Sequence, residues 1–273
     1  MSDSKVALVT GASSGIGKAI ALQLIDDGLT VYVAARRVAK MQDLEELGAI
    51  ALQMDITSDE DVQRVVATIN NDHNGVDVLV NNAGYAIYGA MEDTTIDDAR
   101  RQFEVNLFGL ANLTKAVLPT MRAKKAGKII NISSMGGKIY TPLGSWYHAT
   151  KHALEGWSDC LRLELAPFNI DVVIIEPGAI KTEFGDVMLA PMMERSGNTA
   201  YSAMAKKMAE MAKTSYEKGM ASEPAVIANV VSQAVKAKNP KTRYVAGKLA
   251  KPLLFLRKYL GDRIFDKIIT SAG

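Results

Sequence analysis

The sequence contains one cysteine and three histidines in 273 residues, and each scarcity removes a class of explanation. A lone thiol, Cys160, cannot close an intrachain disulfide, so the core must hold the fold, and a reducing cytoplasm is the expected setting. Such a residue reads as a small buried hydrophobe rather than a nucleophile. His148 and His152 lie one helical turn apart, but no further His or acid at zincin spacing completes a ligand set, and His73 sits in a polar loop. No metal is expected. There is no uninterrupted apolar run of about 18 residues, the length a membrane-spanning helix needs. Charge of one sign is also missing: 32 basic and 30 acidic residues leave a net +2, so no global field steers the chain toward nucleic acid. Residues 1–6 run almost directly into an apolar strand, without the basic start and long apolar stretch of a secretion signal, which predicts a soluble, unprocessed, cytoplasmic chain.

What is present is an alternation. With 48% apolar and 23% charged residues the chain can bury a large core, and no composition break divides it, so residues 1–273 read as one domain. Short β-branched runs at 6–10, 30–35, 50–54, 76–80, 128–132, 172–176 and 243–246 predict seven parallel strands. Between them, apolar residues at three- and four-residue spacing predict helices at 16–27, 38–47, 59–71, 96–124, 146–166 and 224–237. The expected fold is a doubly wound α/β sheet in three α/β/α layers, a Rossmann fold, with its ligand crevice at the carboxyl ends of the strands. Residues 182–222 exceed what a simple crossover requires and hold seven of the 13 methionines. Met204, Met208 and Met211 share one helical face there, which predicts either core packing or the inner face of a substrate lid.

Directly after the first strand comes Thr10-Gly11-Ala12-Ser13-Ser14-Gly15-Ile16-Gly17, with a helical pattern starting at its end. Gly11 permits the tight turn, Gly15 lets main chain approach a pyrophosphate, and Gly17 lets helix and strand pack closely. The free N–H groups at the helix start would meet the phosphates. Gly11, Ser13, Ser14, Gly15, Ile16 and Gly17 are therefore candidate dinucleotide contacts. At the end of the second strand, Ala35 stands where an acid would hold the ribose of NAD, and Arg36 beside it offers a guanidinium to a 2′-phosphate. NADP(H) is the expected cofactor; the plainer alternative is that Arg36 and Arg37 are solvated charges at a strand end. Asp55 and Ile56 follow the third strand, and Asn82, Ala83 and Gly84 follow the fourth. All five fall on the same sheet edge as the glycine loop, where Asp55 could accept a bond from an adenine amino group.

After the fifth strand come Ser133 and Ser134, then Tyr147 and Lys151 at i and i+4 on one helical face. A tyrosine with its ordinary pKa of about 10 is a poor base at neutral pH. A neighbouring ammonium favours the phenolate. With these motifs in order, the chain resembles the short-chain dehydrogenase/reductase family from about residue 5 to residue 246. The resemblance implies an oxidoreductase that interconverts an alcohol and a carbonyl. Ser134, which precedes the tyrosine by 13 residues, would share the substrate oxygen with Tyr147. By the same resemblance Lys151 binds the nicotinamide ribose, and Asn106 holds a water in a proton relay. Pro177, Gly178, Ile180 and Thr182 belong to a cofactor loop, Ile180 and Thr182 at the carboxamide. Thr150 stands where the family usually has serine and keeps the hydroxyl.

The stretch from Trp146 to Gly156 is similar to a subgroup that includes 17β-hydroxysteroid, retinol and acyl-dihydroxyacetone-phosphate enzymes, which suggests a bulky apolar ketone or alcohol. A homodimer or homotetramer built on helices 96–124 and 146–166 is implied by resemblance. The basic, amphipathic tail 247–273 is expected to pack on the core or cover the substrate mouth, with a membrane surface as the other possibility. The competing function is a sensor or scaffold that binds NADP without chemistry.

Overall fold

The computed structural model describes residues 4–182 and 184–271. Residues 1–3, 183 and 272–273, which belong to the expected unprocessed start, lid and tail, lie outside the described residues. Strands β1 (Val6–Thr10), β2 (Thr30–Ala35), β3 (Ile50–Gln53), β4 (Val78–Asn81), β5 (Gly127–Ile132), β6 (Ile170–Pro177) and β7 (Arg243–Ala246) form one parallel sheet in the order β3-β2-β1-β4-β5-β6-β7. The order reverses between β1 and β4, which is where a doubly wound sheet opens its crevice.

Strand periodicity builds two cores. Ala7, Val9, Val31 and Val33 point to one face, and Leu8, Tyr32 and Ala34 to the other. Both faces are covered, so the strands read as continuous apolar runs. Helix α1 (Gly15–Asp26) delivers Ile20 and Leu24 to the first face. The short helix α2 (Gln42–Glu45) adds Leu44 to it. Helix α3 (Asp59–Asp72) fills the second face with Val62, Val65 and Ile69. It starts where Ser58 Oγ accepts the Asp61 amide at 3.2 Å, and three acids in its first turn suit the positive end of its dipole.

The helix expected at 96–124 is not continuous. It divides into α4 (Ile96–Phe103), a π-helical turn over Glu104–Gly109, and α5 (Leu110–Lys124). Gly109 closes the wide turn where a side chain has no space: an added Cβ would lie 2.5 Å from the Ile56 carbonyl oxygen. The segment 38–47 is likewise a 3-10 turn followed by the single turn of α2.

Helix α6 (Ser145–Leu165) carries the Tyr/Lys pair. Cys160 lies exposed on it, against the expectation of a buried hydrophobe, because the helix packs its opposite face on the sheet. The inserted segment holds α7 (Phe184–Ser196) and α8 (Ser202–Glu217). Their small core joins Met192 and Ala205 to Ala90 and Leu143, with Tyr88 and Met208 packed against it. Met204 and Met211 are exposed, so the expected methionine stripe is divided between core and solvent. Helix α9 (Ala225–Lys236) packs beside α1 on the first face. Helix α10 (Ala250–Ser271) bends at Gly261 and seats Phe265 edge-on against Tyr140, with ring centroids 5.3 Å apart. Among the described residues, no helix is long and apolar enough to cross a membrane.

Candidate active site

The carboxyl ends of β1 and β4 are joined by one hydroxyl. Thr10 Oγ1 accepts the main-chain N–H groups of Asn82 and Ala83, each at 3.0 Å, while Asn82 Nδ2 donates to the Thr10 carbonyl at 2.9 Å. Gly11 (φ +66°) and Gly15 (φ +55°) both adopt left-handed backbone. At Gly17 the limit is space: an added Cβ would lie 2.4 Å from both Asn82 Nδ2 and the Gly11 carbonyl oxygen. Ser14 precedes α1 with extended backbone and makes no side-chain cap, so its hydroxyl is not committed to the helix end. Ile16 packs partly into the first core.

A cleft of about 990 Å³ opens before this loop, with Ser13, Ser14, Gly15 and Lys18 on one side and Lys181 and Thr182 across from them. Thr182 comes close enough that a Cβ on Gly15 would be 3.2 Å from its methyl. The loop that brings it there leaves β6 at Pro177. It is pinned by Gly178 N–H on the Ala246 carbonyl at 2.8 Å and by an isolated bridge between Ile180 and Ser222. Glycine rims, a helix start and this cleft fit a dinucleotide's phosphates.

At the end of β2 the sequence pointed to Arg36, but the guanidinium on the glycine loop belongs to Arg37, whose Nη2 donates to Ser13 Oγ at 3.3 Å. Arg36 is exposed beside it, and its charge also favours ionised Asp55. Burial opposes ionisation of Asp55, yet the Thr57 amide and hydroxyl, at 3.0 and 2.8 Å, together with Arg36, hold its carboxyl below the usual range. Ile56 is buried, and its carbonyl faces Gly109.

The second half of the site gathers around α6. The Ser134 hydroxyl accepts the Gly136 amide at 3.0 Å and lies on the side of the Tyr147 phenol, where it favours the ionised form. Ser133 Oγ instead lies against Gly137, which separates the two serines by direction. Burial raises the Tyr147 pKa, with the Ser134 hydroxyl working the other way. Lys151, one turn on and only 9% exposed, donates its ammonium to the Ile132 carbonyl at 2.9 Å; burial pushes its pKa down to about 8, against the pull of Glu155. Asn106 points inward from the π turn. Its amide bonds both main-chain groups of Tyr85, at 3.1 and 2.9 Å, and donates to Thr150 Oγ1 at 3.2 Å. Thr150 in turn donates to the Tyr147 carbonyl at 2.8 Å. Gly84 leaves room for this arrangement, since a Cβ there would sit 3.1 Å from Asn106 Oδ1.

Several contributors went unread in the sequence. Thr10 carried a signal, a hydroxyl at a strand end before glycine. Arg37 carried only half of one, as the second of two adjacent arginines. Tyr88, whose ring lies 5.9 Å from that of Tyr147, and His148 carried none, because their placement depends on main-chain partners.

Comparison with known proteins agrees with this geometry. A family model described as short chain dehydrogenase matches residues 5–192. A 3-ketodihydrosphingosine reductase from Bacteroides thetaiotaomicron is 42% identical over 183 residues, covering 67% of this chain and 66%, just under two thirds, of that protein. An NADPH-dependent 3-dehydrocapnine reductase from Ornithobacterium rhinotracheale is 36% identical over 278 residues, 97% of this chain and 95% of that one. The crystal structure of a short-chain dehydrogenase from Streptomyces avermitilis superposes with a TM-score of 0.82 at 35% identity, over 99% of this chain and 96% of its own.

Proposed function

The chain belongs to the short-chain dehydrogenase/reductase family of oxidoreductases, and from that premise we propose that it reduces a bulky apolar ketone with NADPH, Tyr147 donating the proton. The observation that carries this reading is the buried Tyr147 phenol, with the Ser134 hydroxyl facing it and a buried ammonium one helical turn away.

Both hydroxyls can reach one carbonyl oxygen, and donors aimed at that oxygen stabilise charge only as it develops. Because burial keeps the phenol protonated at neutral pH, Tyr147 stands ready as an acid, which suits reduction. Lys151 supplies the positive charge that would stabilise the phenolate left behind. Asn106 and Thr150 link the Tyr85 main chain to that of Tyr147 and offer a path for the returning proton.

NADPH, when bound, supplies the hydride. Gly11, Ser13, Ser14, Gly15, Ile16 and Gly17 would hold its pyrophosphate, and Ser13 with Arg37 and Arg36 would take its 2′-phosphate. Asp55, Ile56, Asn82, Ala83 and Gly84 would line the adenosine side. Lys151 with Pro177, Gly178, Ile180 and Thr182 would hold the nicotinamide end. The name of the NADPH-dependent relative supports this choice of cofactor.

An apolar substrate is favoured by the small core of α7 and α8, which brings Met192 and Leu143 against Tyr88 beside Tyr147. The names of two relatives, both reductases of 3-keto or 3-dehydro compounds, point the same way. In this reading residues 182–222 form a lid, residues 247–273 close the substrate mouth, and the whole is one domain that assembles through α4, α5 and α6. Exposed Phe108 and Leu163 would be covered in that assembly. A scaffold that merely held NADP would have no use for the Ser134–Tyr147 pair. The test is Tyr147→Phe assayed on a panel of steroid, retinoid and long-chain ketones: turnover should fall by about 10²-fold or more while NADPH binding persists, and retained turnover would reject the mechanism.

A further inference from the structure

His148 is 6% exposed and hydrogen-bonded at both ring nitrogens. Nε2 receives the Thr141 main-chain N–H at 3.0 Å, and Nδ1 lies 2.9 Å from the Gly136 carbonyl oxygen. A main-chain amide only donates and a carbonyl only accepts, so the ring must carry its single proton on Nδ1 and a lone pair on Nε2. The imidazole is therefore neutral and of one tautomer.

Both partners lead to the proton-transfer pair. The Gly136 amide donates to Ser134 Oγ at 3.0 Å, and Ser134 faces Tyr147, the residue next to His148 in the chain. On the other side the Thr141 hydroxyl lies 3.0 Å from Nε2 and faces the Tyr88 phenol, whose ring stands 5.9 Å from that of Tyr147. The ring has little room to turn: a Cβ on Gly144 would come within 2.8 Å of His148 Cδ2, and one on Gly136 within 3.1 Å of Nδ1.

We propose that His148 is a positioning residue which, only as the neutral Nδ1–H tautomer, holds both the Gly136 turn beneath Ser134 and the Thr141 segment beside Tyr147, and that its protonation expels Thr141, unseats Tyr88 from Tyr147 and ends turnover on the acid side. The inference rests on the function proposed above. A proton on Nε2 would set two donors, ring N–H and Thr141 N–H, against each other, and Thr141 with Tyr88 would have to withdraw. The titratable groups that face the ring are His152 and Tyr147 on its own helix and Tyr88 from the segment after β4. Burial foremost, and His152 with it, disfavour the charged ring, against the bonds from Gly136 and the main chain at Ile139, and the balance lies below the usual histidine range.

The test compares wild type, His148→Gln and His148→Leu in kcat between about pH 5 and about pH 8, with NADPH binding measured alongside. A glutamine amide presents a donor and an acceptor side by side, as the neutral ring does, and does not titrate. Wild type should lose kcat toward acid, Gln should abolish that acid limb while rescuing turnover at the alkaline end, and Leu should lose about tenfold at every pH with NADPH binding retained. An acid limb that persists unchanged in Gln, or a Leu variant within about twofold of wild type, overturns the proposal. If Leu fails to fold, the Gln profile still decides. Nitrogen NMR of the protein labelled at its three histidines reads the tautomer without any turnover. A charged or Nε2–H ring at neutral pH also overturns it, whereas an active Tyr147→Phe variant sinks the reading of function instead.

Discussion

Arg37 Nη2 donates to Ser13 Oγ at 3.3 Å and so ties the end of β2 to the glycine loop, while its neighbour Arg36 is exposed. The two arginines therefore differ in how firmly they are held at this corner. In Arg37→Ala the KM for NADPH should rise about tenfold or more, the worth of a charge-assisted bond, with little change for NADH. Arg36→Ala should do less, and adding Ala35→Asp to Arg37→Ala should shift preference toward NADH. Steady-state kinetics with both cofactors checks all three; equal KM changes for NADPH and NADH in Arg37→Ala would remove the 2′-phosphate from this corner.

Thr10 Oγ1 serves two main-chain donors at once. Thr10→Val keeps the shape and strands both amides, so stability should fall by about 1–3 kcal/mol and NADPH affinity with it. Thr10→Ser should restore most of both. Urea unfolding monitored with and without cofactor measures the pair of effects.

Gly17 has no space for a methyl group, being hemmed by Asn82 Nδ2 and the Gly11 carbonyl oxygen at 2.4 Å. Gly17→Ala should cost about 1–3 kcal/mol through overpacking, and it should push the glycine loop away from the β4 segment. A lowered melting temperature together with weakened NADPH binding is the expected result. A normal melting temperature would mean that the loop can give way at no cost.

Glu176 is buried beside Glu155, with the Arg243 guanidinium 3.3 Å away. Burial first, and Glu155 second, push its pKa from 4.5 up to about 7. The protonated form is the one the fold prefers, so its contribution is complete below the ordinary carboxylate pKa and is lost as pH rises through the folded value. Melting temperature should therefore decline between about pH 5 and about pH 8 by a few degrees, and Glu176→Gln, which mimics the protonated acid, should flatten that decline. Calorimetry across the range decides it; an equally steep slope in the variant would assign the effect elsewhere.

Much of this architecture was legible in sequence because the sheet is buried on both faces. Val6–Thr10, Thr30–Ala35 and Arg243–Ala246 appear as strands with the bounds that their β-branched runs suggest. The π turn at Glu104–Gly109 could not be read, since apolar spacing marks a helix but not its pitch, and the close approach of Gly109 to the Ile56 carbonyl is a main-chain contact distant in sequence. The division of Met204, Met208 and Met211 escaped for a related reason: period alone places them on one face, but the neighbouring segment covers only part of it. In the site, spacing grouped Tyr147 with Lys151, and the family resemblance singled out Ser134. The choice between Arg36 and Arg37 depended on how the strand end rotates, and the setting of His148 depended on carbonyl and amide groups that every residue possesses.

The order of the sheet has a consequence for synthesis. Ala7 on β1 pairs with Val31 on one side and Val78 on the other, so the central strand gains its first neighbour early and its second only after α3 has been made. Until then a chain emerging from the ribosome exposes an unsatisfied apolar edge, and with crossovers in place of hairpins every later pairing closes a long loop. Slow refolding, with aggregation of fragments that stop short of β4, is the behaviour this connectivity dictates.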